Sequence, residues 1–361
     1  MLYTPAVHRP FPFAIVPRLR GALLVACAAL AVGSDGNASI SDWIRIAVRG
    51  GACARGGGYA FWLHRGSPKH LLLYFQDGGG CWSYETCAPG SGYFQDSLRS
   101  PTDPRLPESG ILDFHDRRNP FRTFSAVYIP YCTGDVHWGN NVQRYSDGHG
   151  NALTIHHVGF ANDRRVLGWT YRRFHAPRQV FVTGCSAGSV GSAVWAPYVM
   201  RHYPRAQVNQ LGDSLAFVFP RAVDIRSDWR ADRNLPAWIP RMSTLDPTAL
   251  TMARYYSIVA SYYRRHVFSQ FAYARDAVQT RYYVALGGRA EDFPSALAQS
   301  LGEIRRAATN FHSYVVPGDS HCVLPLSRFY DTSVGGIPLR RWVAAVANGR
   351  AVPSVPAARS G

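Results

Sequence analysis

The sequence has almost no lysine. Lys69 is the only one, so arginine supplies nearly all of the positive charge behind the formal net charge of +16. Such an excess is compatible with an anionic partner, for example an acidic polysaccharide or a membrane surface. The arginines are scattered and form no long run, however, so a general replacement of lysine by arginine is the better explanation. The charge therefore gives no reason to expect a nucleic-acid partner.

A hydrophobic run long enough to cross a bilayer is also missing. Residues 17–34, PRLRGALLVACAALAVGS, contain two arginines, a short apolar stretch and then small residues, an order typical of a secretory signal. Cys27 lies in a loosely lipoprotein-like context, but the apolar run continues beyond it, which favours a soluble exported protein. We predict a signal peptide over residues 1–34 and a mature protein that is secreted or periplasmic.

Cysteine pairs of the C-x-x-C type, which often bind zinc, are absent. His137 and the pair His156–His157 lack the carboxylate–histidine spacing of a metal site, so we expect no metal and no other cofactor. Six cysteines remain once Cys27 is removed with the signal. An even number of cysteines in an oxidising compartment predicts three disulfides.

The hydrophobic content of 47% and the charged content of 17% indicate a globular protein. Strand-like apolar runs occur at Leu71–Phe75, Ala126–Pro130, Gln179–Thr183, Gln207–Leu211, Val267–Phe271 and His312–Val316. Helix-length stretches such as Val158–Phe174 and Ser189–Tyr203 lie between several of these runs.

This alternation predicts an α/β fold, in which helices cover both faces of a mostly parallel sheet and so form three layers. We expect one domain over residues 35–350. The Pro/Ala/Ser-rich residues 351–361 predict a flexible tail, and we expect a monomer.

Residues 180–192, VFVTGCSAGSVGS, contain a G-x-S-x-G sequence between a predicted strand and a helix-like stretch of small residues. This motif places a serine hydroxyl on a tight strand-to-helix turn above the sheet edge. A serine becomes a good nucleophile only when a neighbouring base removes its proton. Ser186 is therefore the candidate nucleophile.

Candidates for the acid and the base follow Ser186 along the chain, in the order that α/β-hydrolase proteins use. Asp276 comes just after the strand at 267–271, and Asp213 follows an earlier strand. We favour Asp276, because the GDS sequence around Asp213 is equally typical of a turn; a helix N-cap is the alternative role for either. His321 follows the last predicted strand on a short loop, as the base should.

Cysteines flank this predicted pair: Cys185 precedes Ser186, and Cys322 follows His321. If the serine and the histidine are within hydrogen-bond reach, their neighbours lie close enough for a disulfide, whose Cα atoms are about 5–6 Å apart. The stretch locally resembles tannase-like and glucuronoyl-esterase-like hydrolases, which have this arrangement. We predict the pairs Cys185–Cys322, Cys81–Cys87 and Cys53–Cys132.

Residues 74–82, YFQDGGGCW, place three glycines directly after a strand. Glycine-rich turns early in a hydrolase supply backbone N–H groups that stabilise an oxyanion. The amides of Gly78 and Gly79, with Gly80 as a further candidate, and the amide of Ala187 are therefore predicted to form an oxyanion hole. Trp82 is a candidate substrate-binding residue.

The segment PYCTGDVHWGNN, residues 130–141, follows another strand and carries polar and aromatic side chains. His137 and Trp138 are candidate substrate-binding residues, with Trp138 stacking on a sugar ring or an acyl group. A structural role, in which His137 bonds to the backbone, is an equally good interpretation.

Taken together, the motifs resemble the pectin acetylesterase/Notum family of secreted serine carboxylesterases over roughly residues 45–345. The resemblance is carried, in order, by YFQDGGGCWSYETC, IPYCTGDVHWGN, HHVGF, VTGCSAGSVGS, LGDS, SQFAYARDAVQ and SYVVPGDSHC. It implies an α/β-hydrolase-like fold, a triad of Ser186, Asp276 and His321, an oxyanion hole at the glycine turn and Ala187, and no cofactor. Cys185 and Ser189 depart from residues frequent in that family.

The activity that this resemblance implies is hydrolysis of small O-acyl esters, above all O-acetyl esters, on a small molecule or a polysaccharide. Two alternatives stay open at this point. One is a feruloyl or tannase-type esterase or a polyester depolymerase, which the Cys-Ser and His-Cys pairs favour. The other is a non-catalytic, hydrolase-like protein that binds glycans through its aromatic residues.

Overall fold

The computed structural model describes residues 42–98, 109–214, 218, 228–246 and 250–357. The chain divides into two units, residues 1–40 and 41–361, and every described residue belongs to the second. The signal peptide predicted over residues 1–34, and Cys27 with it, lie outside the described residues. Within the described part of the chain, no helix has both the length and the apolar character needed to cross a membrane.

A mixed sheet of eight strands forms the centre of the fold, in the order β1-β2-β4-β3-β7-β8-β9-β10. These strands are β1 (Trp43–Val48), β2 (Tyr59–His64), β3 (Ser67–Phe75), β4 (Phe124–Ile129), β7 (Gln179–Cys185), β8 (Gln207–Asp213), β9 (Phe268–Tyr273) and β10 (Phe311–Val316). From β4 to β10 all neighbours are parallel, whereas β1 and β2 join antiparallel at one edge. The carboxyl ends of the parallel strands therefore meet along one edge of the sheet.

Helices and short turns of helix connect the strands and cover the sheet. The α-helices are α1 (Tyr84–Cys87), α2 (Gly159–Arg173), α3 (Ala187–His202), α4 (Pro240–Ser243), α5 (Met252–Tyr262), α6 (Ala277–Ala285), α7 (Phe293–Ala307) and α8 (Leu339–Ala347). Two smaller antiparallel pairs, β5 (Asn141–Ser146) with β6 (Ala152–His157) and β11 (Ser333–Val334) with β12 (Ile337–Pro338), lie outside the main sheet.

Two hydrophobic cores lie on opposite faces of the sheet. The larger contains side chains of α2, α3, α5 and α7, and the smaller contains those of α8 and two 3-10 turns. Strand β3 contributes to both, because Leu71 and Leu73 point into one core while Leu72 and Tyr74 point into the other. Burial on both faces explains why the parallel strands are continuous apolar runs. The predicted α/β fold is confirmed.

Residues 351–357, which the composition assigned to a flexible tail, instead lie along β10. Val355 exchanges backbone hydrogen bonds with Ser313 and Val315 at 2.7 and 2.8 Å. Val352 and Val355 are buried, and the Trp342 indole donates to the Pro353 carbonyl at 2.8 Å. The prediction was wrong over this stretch because the backbone of Val355 pairs with an otherwise open edge strand, and both valines are buried there.

Candidate active site

The turn between β7 and α3 holds Ser186 in a backbone conformation that few non-glycine residues adopt. Ser186 has φ 53° and ψ −118°, which turns the chain sharply from strand into helix. A Cβ on Gly188 would lie 2.0 Å from the carbonyl oxygen of Phe75, and one on Gly184 would lie 2.4 Å from it. Glycine at both positions therefore lets α3 start against the end of β3. The G-x-S-x-G spacing has this steric cause.

His321 and Asp276 form a hydrogen-bonded pair at the same edge of the sheet. The Nδ1 atom of His321 lies 2.8 Å from Oδ2 and 3.0 Å from Oδ1 of Asp276. The Asp276 side chain is fully buried, whereas 17% of the His321 side chain is exposed. Such an arrangement fixes the imidazole through one nitrogen and leaves the other available to the solvent side.

Backbone hydrogen bonds join the loop that carries Asp276 to the loop that carries His321. The amides of residues 274, 275 and 277 donate to the carbonyls of residues 316, 318 and 319, at 2.8–2.9 Å. Asp276 is also the N-cap of α6, since its carboxylate accepts from the Gln279 amide at 2.9 Å. The helix-cap role and the pairing with the histidine are thus performed by one side chain.

The predicted disulfide links the serine turn to the histidine loop. Cys185 and Cys322 are bonded, with their Cα atoms 5.8 Å apart, and a ring nitrogen of His321 lies within 4.8 Å of the Cys185 Sγ. The structure joins the cysteines in the pairs that we predicted: Cys185–Cys322, Cys81–Cys87 and Cys53–Cys132. Ser186, Asp276 and His321 are therefore brought to one end of the sheet.

Asp213, the alternative acid, anchors the histidine loop instead. Its Oδ2 accepts from the amides of Val323 and Leu324, both at 2.8 Å, and Ser214 Oγ accepts from the Cys322 amide at 3.0 Å. Burial raises the pKa of Asp213 to about 6, and the amides of Val323 and Leu324 counter part of that rise. This carboxylate therefore holds the backbone that follows His321, while Asp276 holds its ring.

The glycine turn after β3 is fixed by its carbonyl groups. Three of them accept hydrogen bonds: Gln76 O from His137 Nε2 at 2.8 Å, Gly78 O from the Gln95 amide at 2.8 Å, and Gly79 O from the Tyr131 hydroxyl at 2.9 Å. The amides of Gly78 and Gly79 have no acceptor among the residues that the structure describes. Ala187, the first residue of α3, likewise begins a helix whose first amides lack intrahelical partners.

Two of the predicted substrate-binding residues are inaccessible to substrate. His137 and Trp138 are each 1% exposed. Trp138 packs edge-on against Tyr255 at 5.3 Å, and its carbonyl accepts from Asn234. The prediction that these two side chains contact substrate was wrong, because a segment far along the chain covers the HWG turn. The structural interpretation of His137, in which it bonds to backbone, describes its contact with Gln76.

Aromatic side chains lie beside the glycine turn. Trp82, Tyr93 and Tyr282 are half-buried and lie with ring centroids 5.8–6.2 Å apart. The guanidinium of Arg281 lies 4.7 Å from the centre of the Tyr93 ring. Trp82 was predicted from the sequence; the two tyrosines were not, since neither lies in a recognisable motif.

Two clusters of potential metal ligands occur among the described residues, Cys81–Cys87–His157 and Cys185–His321–Cys322. In both, the cysteines are joined to each other as disulfides. Disulfide sulfurs are not thiolates, and the thiolate is the form of cysteine that binds metals. Neither cluster fits a zinc site in this oxidation state.

The sequence family follows from a comparison with family models. The model described as Pectinacetylesterase matches residues 40–232. The chain belongs to the pectinacetylesterase family. The matched region contains the glycine turn and Ser186 but ends before Asp276 and His321, so the placement of those two residues comes from the structure.

Relatives of known name are distant in sequence. Palmitoleoyl-protein carboxylesterase notum2 of Xenopus laevis is 28% identical over 138 residues, which is 37% of this chain and 26% of the relative. Pectin acetylesterase 4 of Arabidopsis thaliana is 27% identical over 174 residues, 44% of this chain and 38% of the relative. The chain thus spans well under half of the length of these curated relatives.

The fold has a solved counterpart. The structure of the Wnt deacylase Notum from Drosophila superposes on this chain with a TM-score of 0.61 and 18% identity. The match covers 86% of this chain and 94% of the Notum chain. A second crystal form of it gives a TM-score of 0.59. At this level of identity the likeness shows a Notum-like α/β-hydrolase fold for this pectinacetylesterase family member.

Proposed function

We propose that the protein is an exported serine carboxylesterase that hydrolyses small O-acyl esters, above all O-acetyl esters on a polysaccharide. The observation that carries the proposal is the His321–Asp276 hydrogen bond of 2.8 Å beside a serine on a strained strand-to-helix turn. Membership of the pectinacetylesterase family supports the same reaction class. The three disulfides support export to an oxidising compartment.

The chemistry follows from the roles of these side chains. The Ser186 hydroxyl attacks the ester carbonyl as His321 takes its proton, and Asp276 stabilises the imidazolium that forms. The alcohol leaves with that proton, and an acyl-enzyme on Ser186 remains. A water molecule, activated by His321, then attacks the acyl group, and the carboxylic acid departs as the serine is restored.

The negative charge on the tetrahedral intermediate needs fixed N–H donors. Gly78, Gly79 and Ala187 are proposed as those donors, because hydrogen bonds fix three carbonyls of the glycine turn, and the amides of Gly78 and Gly79 have no acceptor among the described residues. A donor that does not have to reorganise during the reaction stabilises the transition state more than a mobile one. The turn is therefore suited to an oxyanion.

The surroundings of the turn favour a carbohydrate ester over a long acyl chain. Trp82, Tyr93 and Tyr282 present half-buried ring surfaces, which can pack on sugar rings. Arg281, exposed on the rim, offers a cation to an acidic sugar. Pectin acetylesterase 4, by its name, acts on such an ester, whereas the notum2 relative is named for a palmitoleoyl-protein.

Replacement of Ser186 tests the proposal directly. Purified S186A should fold as the wild type does but lose turnover of p-nitrophenyl acetate by several orders of magnitude, and a fluorophosphonate probe should label the wild type only. S243A, which changes an exposed serine on α4, is the matched control and should keep both properties. Turnover or labelling that survives in S186A would show that Ser186 is not the nucleophile.

A substrate panel separates the ester classes. We expect release of acetate from acetylated pectin or another acetylated glycan to exceed hydrolysis of feruloyl esters, polyesters and a palmitoleoylated peptide. Preference for the feruloyl ester or the polyester would replace the acetyl-glycan assignment by one of the two esterase alternatives. Labelling without turnover on any of them would place the substrate outside these classes.

A further inference from the structure

A second buried histidine–aspartate pair lies next to the glycine turn. His137 Nδ1 lies 3.0 Å from Oδ2 of Asp163 on α2, and its Nε2 lies 2.8 Å from the carbonyl oxygen of Gln76. Both side chains of the pair are 1% exposed. Gln76 is the residue at which β3 gives way to the glycine turn, so this histidine holds the base of the proposed oxyanion hole.

The turn that carries His137 has a strained backbone. Val136 and His137 have φ of 50° and 65°, and a β-branched residue in this region is unusual. The buried Asp135 carboxylate stabilises the turn by accepting from the Thr133 hydroxyl at 2.6 Å, the Gly159 amide at 2.7 Å and the His137 amide at 3.2 Å. Strain that is held by several contacts is often found at functional sites.

The hydrogen-bond partners determine how many protons the ring carries. Gln76 O is a pure acceptor, so Nε2 must carry a proton to bond to it. Nδ1 faces Oδ2 of Asp163, which already accepts from the Trp195 indole at 3.0 Å. That second donor favours the carboxylate form of Asp163 and so leaves the shared proton on Nδ1.

A second buried histidine, His157, provides a contrast. Its Nδ1 faces the carbonyl of Thr133 at 2.9 Å, and its Nε2 faces the hydroxyl of Tyr145 at 2.9 Å. A hydroxyl can donate to Nε2, so a neutral ring with one proton satisfies both contacts. Burial lowers the pKa of His157 to about 4. His137 has no such donor facing either nitrogen.

We propose that His137 is a positioning residue that acts as a buried imidazolium, paired with Asp163, and fixes the Gln76 carbonyl so that the Gly78 and Gly79 amides face the oxyanion. The inference rests on the esterase function proposed above. His137 does not touch the substrate, because it is buried behind the turn. A Cβ on Gly191 of α3 would lie 2.9 Å from Cγ of the His137 ring, so glycine at this position leaves room for the ring beside the helix.

The charged groups around the His137 ring favour its imidazolium form. Among the described residues, Asp163 on α2 and Asp135 on the same turn are the carboxylates that face the His137 ring, and the neutral rings of Tyr131 and Phe75 pack against it. Burial alone lowers the pKa of His137, but the Asp163 carboxylate and its hydrogen bond, together with the Gln76 carbonyl and Asp135, more than offset this, and the pKa is raised above the ordinary histidine value. His137 should therefore keep a proton on both ring nitrogens at neutral pH.

Nitrogen-15 NMR of the histidine side chains in the intact wild-type protein tests the protonation state without relying on activity. At pH 7 we expect both ring nitrogens of His137 to be protonated and only Nδ1 of His157 to be so. The variants H137Q and H157N assign the two signals. An unprotonated Nε2 in His137 would overturn the inference even if the protein proves to be an esterase.

Kinetics test the positioning role. H137L, which lacks a donor, should lower kcat on p-nitrophenyl acetate roughly 10- to 100-fold with little change in KM, because oxyanion donors act mainly in the transition state. H137Q keeps an N–H group that can reach Gln76 and should retain more of the activity. H157N, an equally buried change, should stay within about twofold. Active sites are counted by fluorophosphonate titration, so a loss of folded protein is not read as a loss of kcat.

The pH profile separates this role from a merely structural one. In the wild type, kcat should fall as pH rises through the pKa of His137, because loss of the Nδ1 proton breaks the hydrogen bond to Asp163 that holds the ring against Gln76. In D163N the counter-charge is missing, so the fall should begin at a lower pH; in H137Q it should be absent. Unchanged kcat per active site in H137L, or identical profiles in the wild type and D163N, would refute the inference while leaving Ser186 as the nucleophile.

Discussion

At the scale of single residues, backbone strain is concentrated around the candidate site. Non-glycine residues with positive φ are uncommon, and the described residues include Val136, His137, Ser186, Ser214, Arg230 and Cys322. Ser186 lies in the serine turn, and Val136 and His137 lie in the turn after β4. Cys322 belongs to the histidine loop, and Ser214 accepts a hydrogen bond from it. Only Arg230 lies elsewhere. Only the turn at Ser186 has a sequence motif, so the others could not be predicted.

Two aspartates near His321 should respond differently to substitution. D276N should lower kcat by about 10³- to 10⁴-fold, because the imidazole loses the partner that orients it and stabilises its charge. D213N should stay within about tenfold, since one amide oxygen can still accept from Val323 and Leu324. The measurement is kcat per phosphonate-titrated active site.

The stability of Asp213 variants completes that comparison. D213A leaves buried amide groups without an acceptor and should lower the free energy of unfolding by about 1–3 kcal/mol for each one. A kcat loss in D213N as large as that in D276N would make Asp213 the acid and contradict the assignment.

His157 should give the protein a pH-dependent contribution to stability. Its pKa is about 4 when folded, below the ordinary value of about 6.5. The unfolded chain therefore binds a proton here between these values, and the stabilising contribution falls as pH falls from about 6.5 towards 4. The destabilisation caused by H157N should thus be smaller at pH 5 than at pH 7, by about 2 kcal/mol.

Urea unfolding of the wild type and H157N at both pH values measures this difference. Other titrating groups are common to the two proteins and cancel. The same destabilisation at pH 5 and at pH 7 would mean that His157 is not held neutral by burial.

At the residue scale, sequence reasoning relied on order along the chain to assign catalytic roles, and those roles stay predictions. Ser186, Asp276 and His321 were predicted from strand ends and the order of the motifs, and the last two form a hydrogen-bonded pair. It failed for His137 and Trp138, because polar and aromatic residues after a strand are typical of an exposed loop. Trp138 contacts Asn234 and Tyr255, about a hundred residues away, and His137 bonds to Asp163 of α2.

At the scale of elements, the start of α3 requires glycine for a reason that predicts a large effect. A Cβ at position 188 would overlap the Phe75 carbonyl, which is backbone and cannot move aside without displacing β3. G188A should lower the free energy of unfolding by about 2 kcal/mol or more and reduce activity sharply. Thermal unfolding and phosphonate labelling measure the two effects.

Gly168, in the interior of α2, is the matched control. A Cβ there would meet only the end of the Arg172 side chain at 3.7 Å, an ordinary contact. G168A should stabilise the protein by about 0.4–1 kcal/mol, since alanine restricts the unfolded chain and suits a helix. Equal effects of the two substitutions would argue against the close approach of α3 to β3.

Strands with continuous apolar runs could be predicted from the sequence, whereas strands that mix polar and apolar residues could not. The six predicted strands correspond to β3, β4, β7, β8, β9 and β10. Strands β1 and β5 each contain a single buried residue among half-buried and exposed ones, and both carry arginine, so their hydrophobic patterns are weak. Their pairing partners, not their own residues, make them strands.

At the scale of the whole molecule, the end of the described chain protects an open edge of the sheet. Strand β10 is an edge strand of the main sheet, and Val355 in the terminal stretch pairs with it. Truncation after residue 350 should lower the melting temperature by about 5–10 °C, because it exposes the edge and removes two buried valines. Truncation after residue 357 keeps every described contact and should have little effect. Identical melting curves for both truncations would contradict this role.

The architecture was predictable only in outline. Alternating strands and helices predicted a parallel sheet, but the order β4-β3-β7-β8-β9-β10 and the antiparallel addition of β1 and β2 depend on contacts between distant segments. Val352 and Val355 show the same limit. The proline and alanine around them predicted a flexible tail, although both valines are buried in the structure. Contacts with residues far along the chain determine the structure of such segments.

The bridge between Cys185 and Cys322 bears on how the protein is produced. It connects residues 137 positions apart, and it is the covalent connection between the serine turn and the histidine loop. A chain synthesised in the reducing cytosol of an expression host lacks it, because glutathione and thioredoxin keep thiols reduced there. Recombinant material should therefore be directed to the periplasm or refolded with an oxidant before a lack of activity is attributed to the choice of substrate.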